Sequence, residues 1–219
     1  MDIFFHVYLK SGYTHILLNK FKKLRLSGLY EKTNKIYLTL FGDDIELHSD
    51  FLNELQEVYS KIEYAVIVNQ EFNNEPDTLN FMLKKANEYK SNTPMLYIHT
   101  KGVSYANPNI KKNIDAWVRY LDLYVINKWE ECVKALEEND AAGGFYVEDP
   151  KHFQGNFWWA NSDYLKTLPR LNKYNVANSN RGEFWILSET DKVYAVSGPT
   201  PVDMYQNYYH KAEDFPSGW

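Results

Sequence analysis

Residues 94–104 read Pro-Met-Leu-Tyr-Ile-His-Thr-Lys-Gly-Val-Ser, an apolar run that ends on side chains able to do chemistry. An imidazole can accept or donate a proton, and an ammonium can bind a phosphate. In open α/β sheets, ligands bind outside the carboxyl ends of the strands. A strand over residues 95–98 would therefore deliver four residues to the edge of a site: His99, Thr100, Lys101 and Gly102. The alternative is an ordinary polar loop at a strand end.

The residues before this stretch alternate between strand and helix patterns. Dense apolar runs predict strands over residues 3–9, 36–41, 64–68 and 95–98. Apolar residues at helical spacing predict helices from Tyr13 to a stop at Gly28, over residues 51–58, and over residues 77–89. This alternation predicts an α/β fold with a central, mostly parallel but mixed sheet flanked by helices.

The second half of the chain is less regular. A long helical pattern covers residues 114–136, with a possible break near Asn127, and a fifth strand is predicted over residues 141–147. An aromatic stretch with a Gly-Asn pair follows at residues 153–160. Helices over residues 163–168 and 181–187 and a strand over residues 193–196 complete the prediction. No linker or repeat interrupts the chain, which predicts one domain over residues 1–219.

Composition excludes several classes of protein. The 219 residues have a net charge of −5, and their scattered lysines and arginines do not form the basic surface that a nucleic acid needs. No apolar run approaches the ~20 residues of a membrane span. The single cysteine, Cys132, allows no disulfide within the chain and predicts a buried side chain in a reducing cytoplasm. Aromatic residues reach 16%, which suits a site that stacks flat rings or sugars.

Missing motifs narrow the chemistry further. The sequence has no Gly-X-Gly-X-X-Gly, no Walker loop, no Gly-X-Ser-X-Gly elbow and no zinc spacing, which argues against dinucleotide, P-loop, triad and structural zinc sites. A Mg²⁺ or Mn²⁺ ion beside phosphates needs fewer protein ligands. The candidate ligands are Asp77, His99 and His210, with Lys101 as a fixed positive charge. Asp77 has a competing role as a helix cap.

Four motifs together resemble a glycosyltransferase family. They are Tyr-Ile-His-Thr-Lys-Gly at 97–102, Asp-Ala-Trp-Val-Arg-Tyr at 115–120, His-Phe-Gln-Gly-Asn-Phe-Trp-Trp-Ala at 152–160 and Arg-Gly-Glu-Phe-Trp-Ile at 181–186. The family occurs in bacterial surface-polysaccharide gene sets and in large algal viruses, and the resemblance implies a role in glycosylating capsids or surface glycans. The family is similar in fold to GT-A glycosyltransferases, which implies a UDP-sugar donor and Mn²⁺ or Mg²⁺.

The resemblance implies a nucleotide-binding half over residues 1–105. The end of the first strand, Val7, Tyr8 and Leu9, with Tyr13 nearby, would hold the uracil ring. His99, Thr100 and Lys101 would stand where the wider fold keeps an Asp-X-Asp metal motif, although neither acid is present here. Either phosphates with His99, Asp77 or His210 hold the metal, or Lys101 partly replaces its charge. We expect a retained metal, since a late histidine such as His210 often serves as a ligand in GT-A enzymes.

The resemblance also implies a sugar and acceptor half over residues 106–219. Gly155 and Asn156 with Trp158 and Trp159 would line this side, while Gly102 and Arg119, from the motifs, would help to bind the nucleotide or sugar. Glu183 lies where inverting enzymes place the base that takes the acceptor proton. Its alternative role is that of a first-turn acid favoured by the helix dipole. In a retaining enzyme, Asp77 or the substrate phosphate would serve instead.

We therefore expect a glycosyltransferase that transfers a sugar from a UDP-sugar to a glycan or glycoprotein acceptor. Capsid or surface glycan synthesis is the expected process, in the cytoplasm, or the host cytoplasm if the chain is viral. Two alternatives remain open: a non-catalytic carbohydrate-binding domain and a nucleotide-sugar hydrolase.

Overall fold

A computed structural model describes residues 1–42, 45–66, 74–104, 107–172, 181–198, 215–217 and 219. The strands in these ranges are β1 (Asp2–Tyr8), β2 (Lys35–Phe41), β3 (Ile62–Val66), β4 (Pro94–His99), β5 (Ala141–Gly143), β6 (Tyr146–Glu148), β7 (Lys151–Phe153), β8 (Trp158–Asn161) and β9 (Val193–Ala195). The α-helices are α1 (Tyr13–Leu26), α2 (Leu29–Lys32), α3 (Ser49–Val58), α4 (Glu75–Glu88), α5 (Pro108–Asp122), α6 (Trp129–Ala135), α7 (Ser162–Leu165) and α8 (Arg181–Trp185). A 3₁₀ turn covers Ile45–His48 and a π-helical turn covers Leu123–Asn127.

The central sheet has seven strands in the order β3-β2-β1-β4-β8-β5-β9. Most neighbours pair in parallel, but β8 runs antiparallel to both β4 and β5. A separate hairpin is formed by β6 and β7. The predicted α/β class with a mostly parallel, mixed sheet and flanking helices is confirmed.

The strand order reverses between β1 and β4. From β1 the chain adds β2 and then β3 on one side, and β4 pairs with the other side of β1. At such a switch point the connections leave in opposite directions, which opens a crevice at the carboxyl edge of the sheet. His6 of β1 and His99 of β4 are register partners beside this crevice.

Two hydrophobic cores cover the two faces of the sheet, because successive residues of a strand point to opposite faces. Along β1, Ile3, Phe5 and Val7 belong to one core, and Phe4 belongs to the other. The first core packs α1, α3 and α5 against the sheet, while the second packs α4, α7 and α8. The buried free Cys132 lies in the first core, as expected.

Several predicted boundaries differ from the structure. β3 begins two residues earlier than predicted, and residues 67 and 68 lie outside the described ranges. The strand predicted over residues 141–147 breaks after Gly143, because Phe145 has a φ of 54° and cannot continue an extended strand. β7 and β8 were not predicted as strands. The expected break near Asn127 corresponds to the π-helical turn.

A buried ion cluster joins α1 to the end of α5. Lys20 and Lys23 both donate hydrogen bonds to the carboxylate of Asp122, the second over 2.7 Å, and all three side chains are at most 3% exposed. Burial lowers the pKa of Lys20 to about 8, although Asp122 opposes this shift. The Lys20 ammonium also lies 4.5 Å from the ring centroid of Phe157.

Candidate functional site

The residues that follow β4 lie at the switch point. The Thr100 backbone N–H donates to the His6 carbonyl over 3.0 Å, and Thr100 Oγ1 accepts from the Tyr8 N–H over 2.9 Å. These two bonds join the ends of β1 and β4 across the crevice. Lys101 is nearly buried, and its ammonium lies 4.0 Å from the ring centroid of Trp117. The predicted strand-end residues therefore occupy the carboxyl edge of the sheet.

Glu75, the first residue of α4, is the central carboxylate of the site. Its Oε2 accepts hydrogen bonds from the Tyr97 hydroxyl over 3.0 Å and from Asn156 Nδ2 over 2.8 Å. Its Oε1 lies 3.7 Å from His99 Nδ1. Asn74 begins the helix by accepting the Glu75 N–H on its side chain, which sets where the carboxylate leaves α4.

A turn between β7 and β8 links two carboxylates. The Gly155 N–H donates to Glu183 Oε1 over 3.0 Å, and the next residue, Asn156, donates to Glu75. The Gly155 carbonyl also lies 3.0 Å from His99 Nε2. Gly155 and Asn156 both adopt positive φ, of 96° and 56°, so this turn requires residues that tolerate the left-handed region.

The two carboxyl groups have opposite pKa shifts. Burial opposes the ionisation of Glu75, but its neighbours, first among them His99, lower its pKa to about 2. Burial raises the pKa of Glu183, against the charge of Lys101 and the Gly155 hydrogen bond. In enzymes, two carboxyl groups whose pKa values are shifted apart in this way can take different roles, one as a fixed charge and the other as an acid or base.

The basic groups of the cluster are shifted toward their neutral forms. Burial lowers the pKa of His6 to about 4, and it also lowers the pKa of His99 against the opposing charge of Glu75. Burial likewise lowers the pKa of Lys101, and Glu183 and Glu75 oppose that shift. Burial therefore favours the neutral form of both imidazoles, and at His99 the Glu75 carboxylate and the Gly155 carbonyl act against it.

A family profile described as a domain of unknown function, DUF8361, matches residues 4–203. The chain belongs to the DUF8361 family. The DUF8361 match includes the whole cluster from His6 to Glu183 and ends before His210. No curated protein matches the sequence significantly.

The residues expected to hold the uracil ring are largely buried or hydrogen-bonded to other parts of the protein. The side chain of Val7 is fully buried, and the N–H groups of Tyr8 and Leu9 donate to Thr100 and to Phe41. Tyr13 is only 3% exposed, and its buried hydroxyl has no hydrogen-bond partner among the residues that the structure describes. A ring that stacks on Tyr13 would need this side chain to become more exposed.

Trp158 and Trp159 do not offer surfaces to a sugar, contrary to the expectation that they line it. Both are fully buried on opposite faces of β8. Trp159 donates from Nε1 to the Val125 carbonyl, within the first core. Trp158 contributes indirectly, since its Nε1 donates to Asn156 Oδ1 over 2.7 Å.

Two further predicted residues have defined positions. Gly102 has a φ of 93°, and a Cβ there would lie 3.0 Å from Ile114 Cγ2, so the chain after β4 passes close to α5. Arg119 donates to the Trp219 carbonyl over 3.2 Å and lies over the ring of Phe215. Arg119 therefore holds the C-terminal residues against α5.

The structure describes two of the three predicted metal ligands. His99 lies in the cluster, Asp77 is buried in the first turn of α4, and His210 lies outside the described residues. Within the described ranges, no three His, Cys, Asp or Glu side chains are grouped to hold a metal ion. Nor is any helix in those ranges long and apolar enough to cross a membrane.

Sequence reasoning missed Glu75, His6 and Gly182. A Cβ on Gly182 would lie 3.1 Å from Asn156 Nδ2 and 3.5 Å from Glu75 Oε2, so glycine lets α8 approach the cluster. The signal for Glu75 was the Asn-Glu-Pro start of α4, which is an N-cap followed by an acid and a proline. His6 was hidden inside an apolar strand.

Proposed function

We propose that the chain is a glycosyltransferase that transfers a sugar from a UDP-sugar to a hydroxyl of a glycan or glycoprotein acceptor. The proposal rests on the four family-like motifs and on the positions of their residues. The observation that carries it is Glu183, a carboxylate of raised pKa that Gly155 holds beside the crevice between β1 and β4. Three of the motifs thus contribute to one cluster: His99 and Lys101, Gly155 and Asn156, and Glu183.

In the proposed reaction, the acceptor oxygen forms a bond to the anomeric carbon of the sugar. The bond from that carbon to the diphosphate breaks, and its electron pair leaves with UDP. Glu183 takes the acceptor proton, and its raised pKa makes it a stronger base than an exposed glutamate. Lys101 supplies positive charge near the leaving diphosphate.

Mn²⁺ or Mg²⁺, when bound, would neutralise diphosphate charge and stabilise the leaving group. The donor set fits such an ion in part, because His99 Nδ1 and Glu75 Oε1 are one nitrogen and one oxygen that face each other. Tyr97 and Asn156 hold Glu75 in place through their two hydrogen bonds to Oε2.

Calorimetry with UDP, GDP and CMP, each with and without Mn²⁺, tests the proposal. We expect UDP to bind in a metal-dependent manner and a UDP-sugar to release UDP faster when an acceptor glycan is present. If none of the three nucleotides binds, the proposal is wrong.

A nucleotide-sugar hydrolase is the second candidate, and the oppositely shifted Glu75 and Glu183 favour it, since paired carboxyls can also activate water. A hydrolase would release free sugar at the same rate with and without acceptor. The carbohydrate-binding alternative drew on the aromatic residues of the second half, and the buried Trp158 and Trp159 do not support it. A cytoplasmic location and a role in capsid or surface glycans stay predictions.

A further inference from the structure

A chain of three hydrogen-bonded side chains lies beside the crevice, and the proposed reaction makes no use of it. His6 Nδ1 lies 2.8 Å from Thr78 Oγ1, and Thr78 Oγ1 lies 2.6 Å from Thr39 Oγ1. Thr39 Oγ1 in turn donates to the Phe5 carbonyl over 3.3 Å. The three residues come from β1, α4 and β2 and are at most 4% exposed, so the chain joins three elements at a buried point.

The direction of these bonds determines the tautomer of His6. The Phe5 carbonyl can only accept, so the single hydroxyl proton of Thr39 points to it. Thr39 Oγ1 then accepts from Thr78, whose own proton is used in that bond. Thr78 Oγ1 must therefore accept from His6, which places the proton of the neutral ring on Nδ1. His6 Nε2 is left with a lone pair and can accept a hydrogen bond.

This acceptor has no partner within the part of the chain that the structure describes. There, the His6 ring is hydrogen-bonded to Thr78 alone, and Nε2 is turned away from Thr78, since the two nitrogens lie on different sides of the ring. Exchange of hydrogen-bonded partners for apolar groups of the same shape can be neutral for stability, so stability alone does not explain the chain. What the chain does provide is a fixed acceptor, as a ligand site requires.

His6 lies between an aromatic edge and the residues that follow β4. On one side, the centroid of its ring is 6.0 Å from that of Phe41, which is 5.0 Å from that of Tyr8. Both of these neighbouring rings are half-buried, at the last residues of β2 and β1. On the other side, the register partner of His6 is His99, two residues before Lys101. A ligand that reaches from the two rings to Lys101 therefore crosses β1 at His6.

We propose that His6 is a specificity-determining residue whose Nε2 accepts a hydrogen bond from a ribose hydroxyl of the bound nucleotide. This inference rests on the proposed function, in which the base lies at the end of β1 and the diphosphate at Lys101. The ribose joins these two groups and so lies on the path over His6. A hydroxyl fits better than uracil N3–H, because the two carbonyl oxygens beside N3–H would approach the carboxylate of Glu75, which lies against His99.

Nuclear magnetic resonance tests the tautomer without a ligand. Long-range ¹H–¹⁵N spectra at pH 7 distinguish protonated from unprotonated ring nitrogens, and the spectrum of His6→Asn assigns the signals of His6. We expect a proton on Nδ1 and none on Nε2. Thr39→Val removes the acceptor of the Thr78 proton, which should turn to His6 Nδ1 and so move the ring proton to Nε2. Thr39→Ser keeps a hydroxyl and should keep the wild-type tautomer. Dispersed spectra verify that each variant folds.

Calorimetry in the presence of Mn²⁺ tests the contact with UDP, 2′-deoxy-UDP and 3′-deoxy-UDP. His6→Asn keeps an amide nitrogen near the place of Nδ1 and removes the acceptor at Nε2. We expect it to weaken UDP binding about tenfold, the effect of one lost hydrogen bond. One of the two deoxy analogues should bind to the wild type about tenfold more weakly than UDP and should bind equally to the wild type and to His6→Asn.

Two further variants serve as controls for the loss of affinity. The longer amide of His6→Gln can reach the place of Nε2 and should restore part of the affinity for UDP. His15→Asn replaces an exposed histidine on α1 and should leave binding of all three nucleotides unchanged.

The outcomes separate this contact from the proposed function. Equal UDP affinity in the wild type and in His6→Asn overturns the contact and leaves the transferase standing. A loss in His6→Asn that is the same for UDP and both analogues also overturns it, since His6 then has only a structural role, with water on Nε2. A wild-type proton on Nε2, or an unchanged tautomer in Thr39→Val, overturns the role of the hydroxyl chain. If UDP, GDP and CMP all fail to bind, the transferase and the ribose contact are both wrong.

Discussion

Asn156 donates from Nδ2 to Glu75 Oε2, and this orientation of its amide follows from a third residue. Trp158 Nε1 can only donate, and it lies 2.7 Å from Asn156 Oδ1, so the amide oxygen must face the indole. The amide nitrogen then faces the carboxylate over 2.8 Å. A buried tryptophan thus orients the carboxylate of the site through one side chain.

Replacement of Asn156 by Asp should be far more harmful than replacement by Gly. Both residues tolerate the positive φ, but Asp turns a donor into a second carboxylate against Glu75. We expect Asn156→Asp to destabilise the protein by about 1–3 kcal/mol more than Asn156→Gly at pH 7, which urea unfolding measures. Equal losses in the two variants would show that the amide donor is unimportant.

Glu183→Gln should separate activity from stability. The pKa of Glu183 is raised in the folded state, so its ionisation costs stability at pH values above that pKa, and the cost disappears below the pKa of the unfolded chain. The amide removes this cost and keeps an oxygen for the Gly155 N–H. We expect an equal or higher Tm at pH 7 and a kcat lower by about 10²–10⁴-fold. A lower Tm together with unchanged turnover would contradict the base role.

Gly155→Ala should destabilise the protein by more than a positive φ alone explains. Its Cβ would lie 2.8 Å from Leu121 Cδ1 and 3.0 Å from Trp117 Cζ2. Gly198→Ala is the matched control, since Gly198 has a φ of 70° and no atom of the described residues lies within 4 Å of its added Cβ. We expect Gly155→Ala to lose about 1–3 kcal/mol more than the control, because overpacking adds to backbone strain. Similar losses of stability in the two variants would mean that the turn moves to make room for the added methyl group.

Mutations in the buried ion cluster should differ in their effect on the free energy of unfolding. The cluster consists of Lys20, Lys23 and Asp122. Asp122→Asn leaves two buried ammonium groups without their carboxylate and should cost about 3–5 kcal/mol. Lys20→Met leaves the pair of Lys23 and Asp122, so the change should be neutral or stabilising at pH 7. Chemical unfolding measures both changes, and equal losses would contradict this ranking.

The same cluster predicts a pH dependence. The pKa of Lys20 falls from 10.5 to about 8 in the folded protein, so between these values the unfolded chain binds more protons than the folded one. Stability from this group therefore rises from pH 8 to pH 10, by up to about 3 kcal/mol over the full interval. The difference between wild type and Lys20→Met, measured at pH 7, 8, 9 and 10, isolates the effect. A difference that stays constant with pH would contradict the lowered pKa.

The sequence predicts the parallel part of the sheet well, because strands buried on both faces are continuous apolar runs. β1, β2 and β4 follow this pattern. β8 does not, since it has four residues and its antiparallel direction depends on β4 and β5, neither of which is next to it in the chain. Its tryptophans were interpreted as ligand surface when their contacts are internal.

The site could be predicted only where strand ends determine it. The end of β4 was predicted correctly, and this places His99 and Lys101 at the edge of the sheet. Glu75 and Asp77 are two residues apart on one helix, so their side chains leave it about 200° apart, and no periodic signal decides which one faces β4. Glu183 could be placed from the family resemblance, but its contact with Gly155 depends on tertiary packing.

The antiparallel β8 has a consequence for how the chain folds. β4 becomes an interior strand only when Trp158 and Trp159 pair with Tyr97 and Leu96, after α5 and α6 have been added to the chain. A fragment that ends near residue 105 would expose β4 as an apolar edge open to other strands, and we expect it to aggregate. During synthesis, the β4 edge of the N-terminal half therefore stays exposed until the second half has been made.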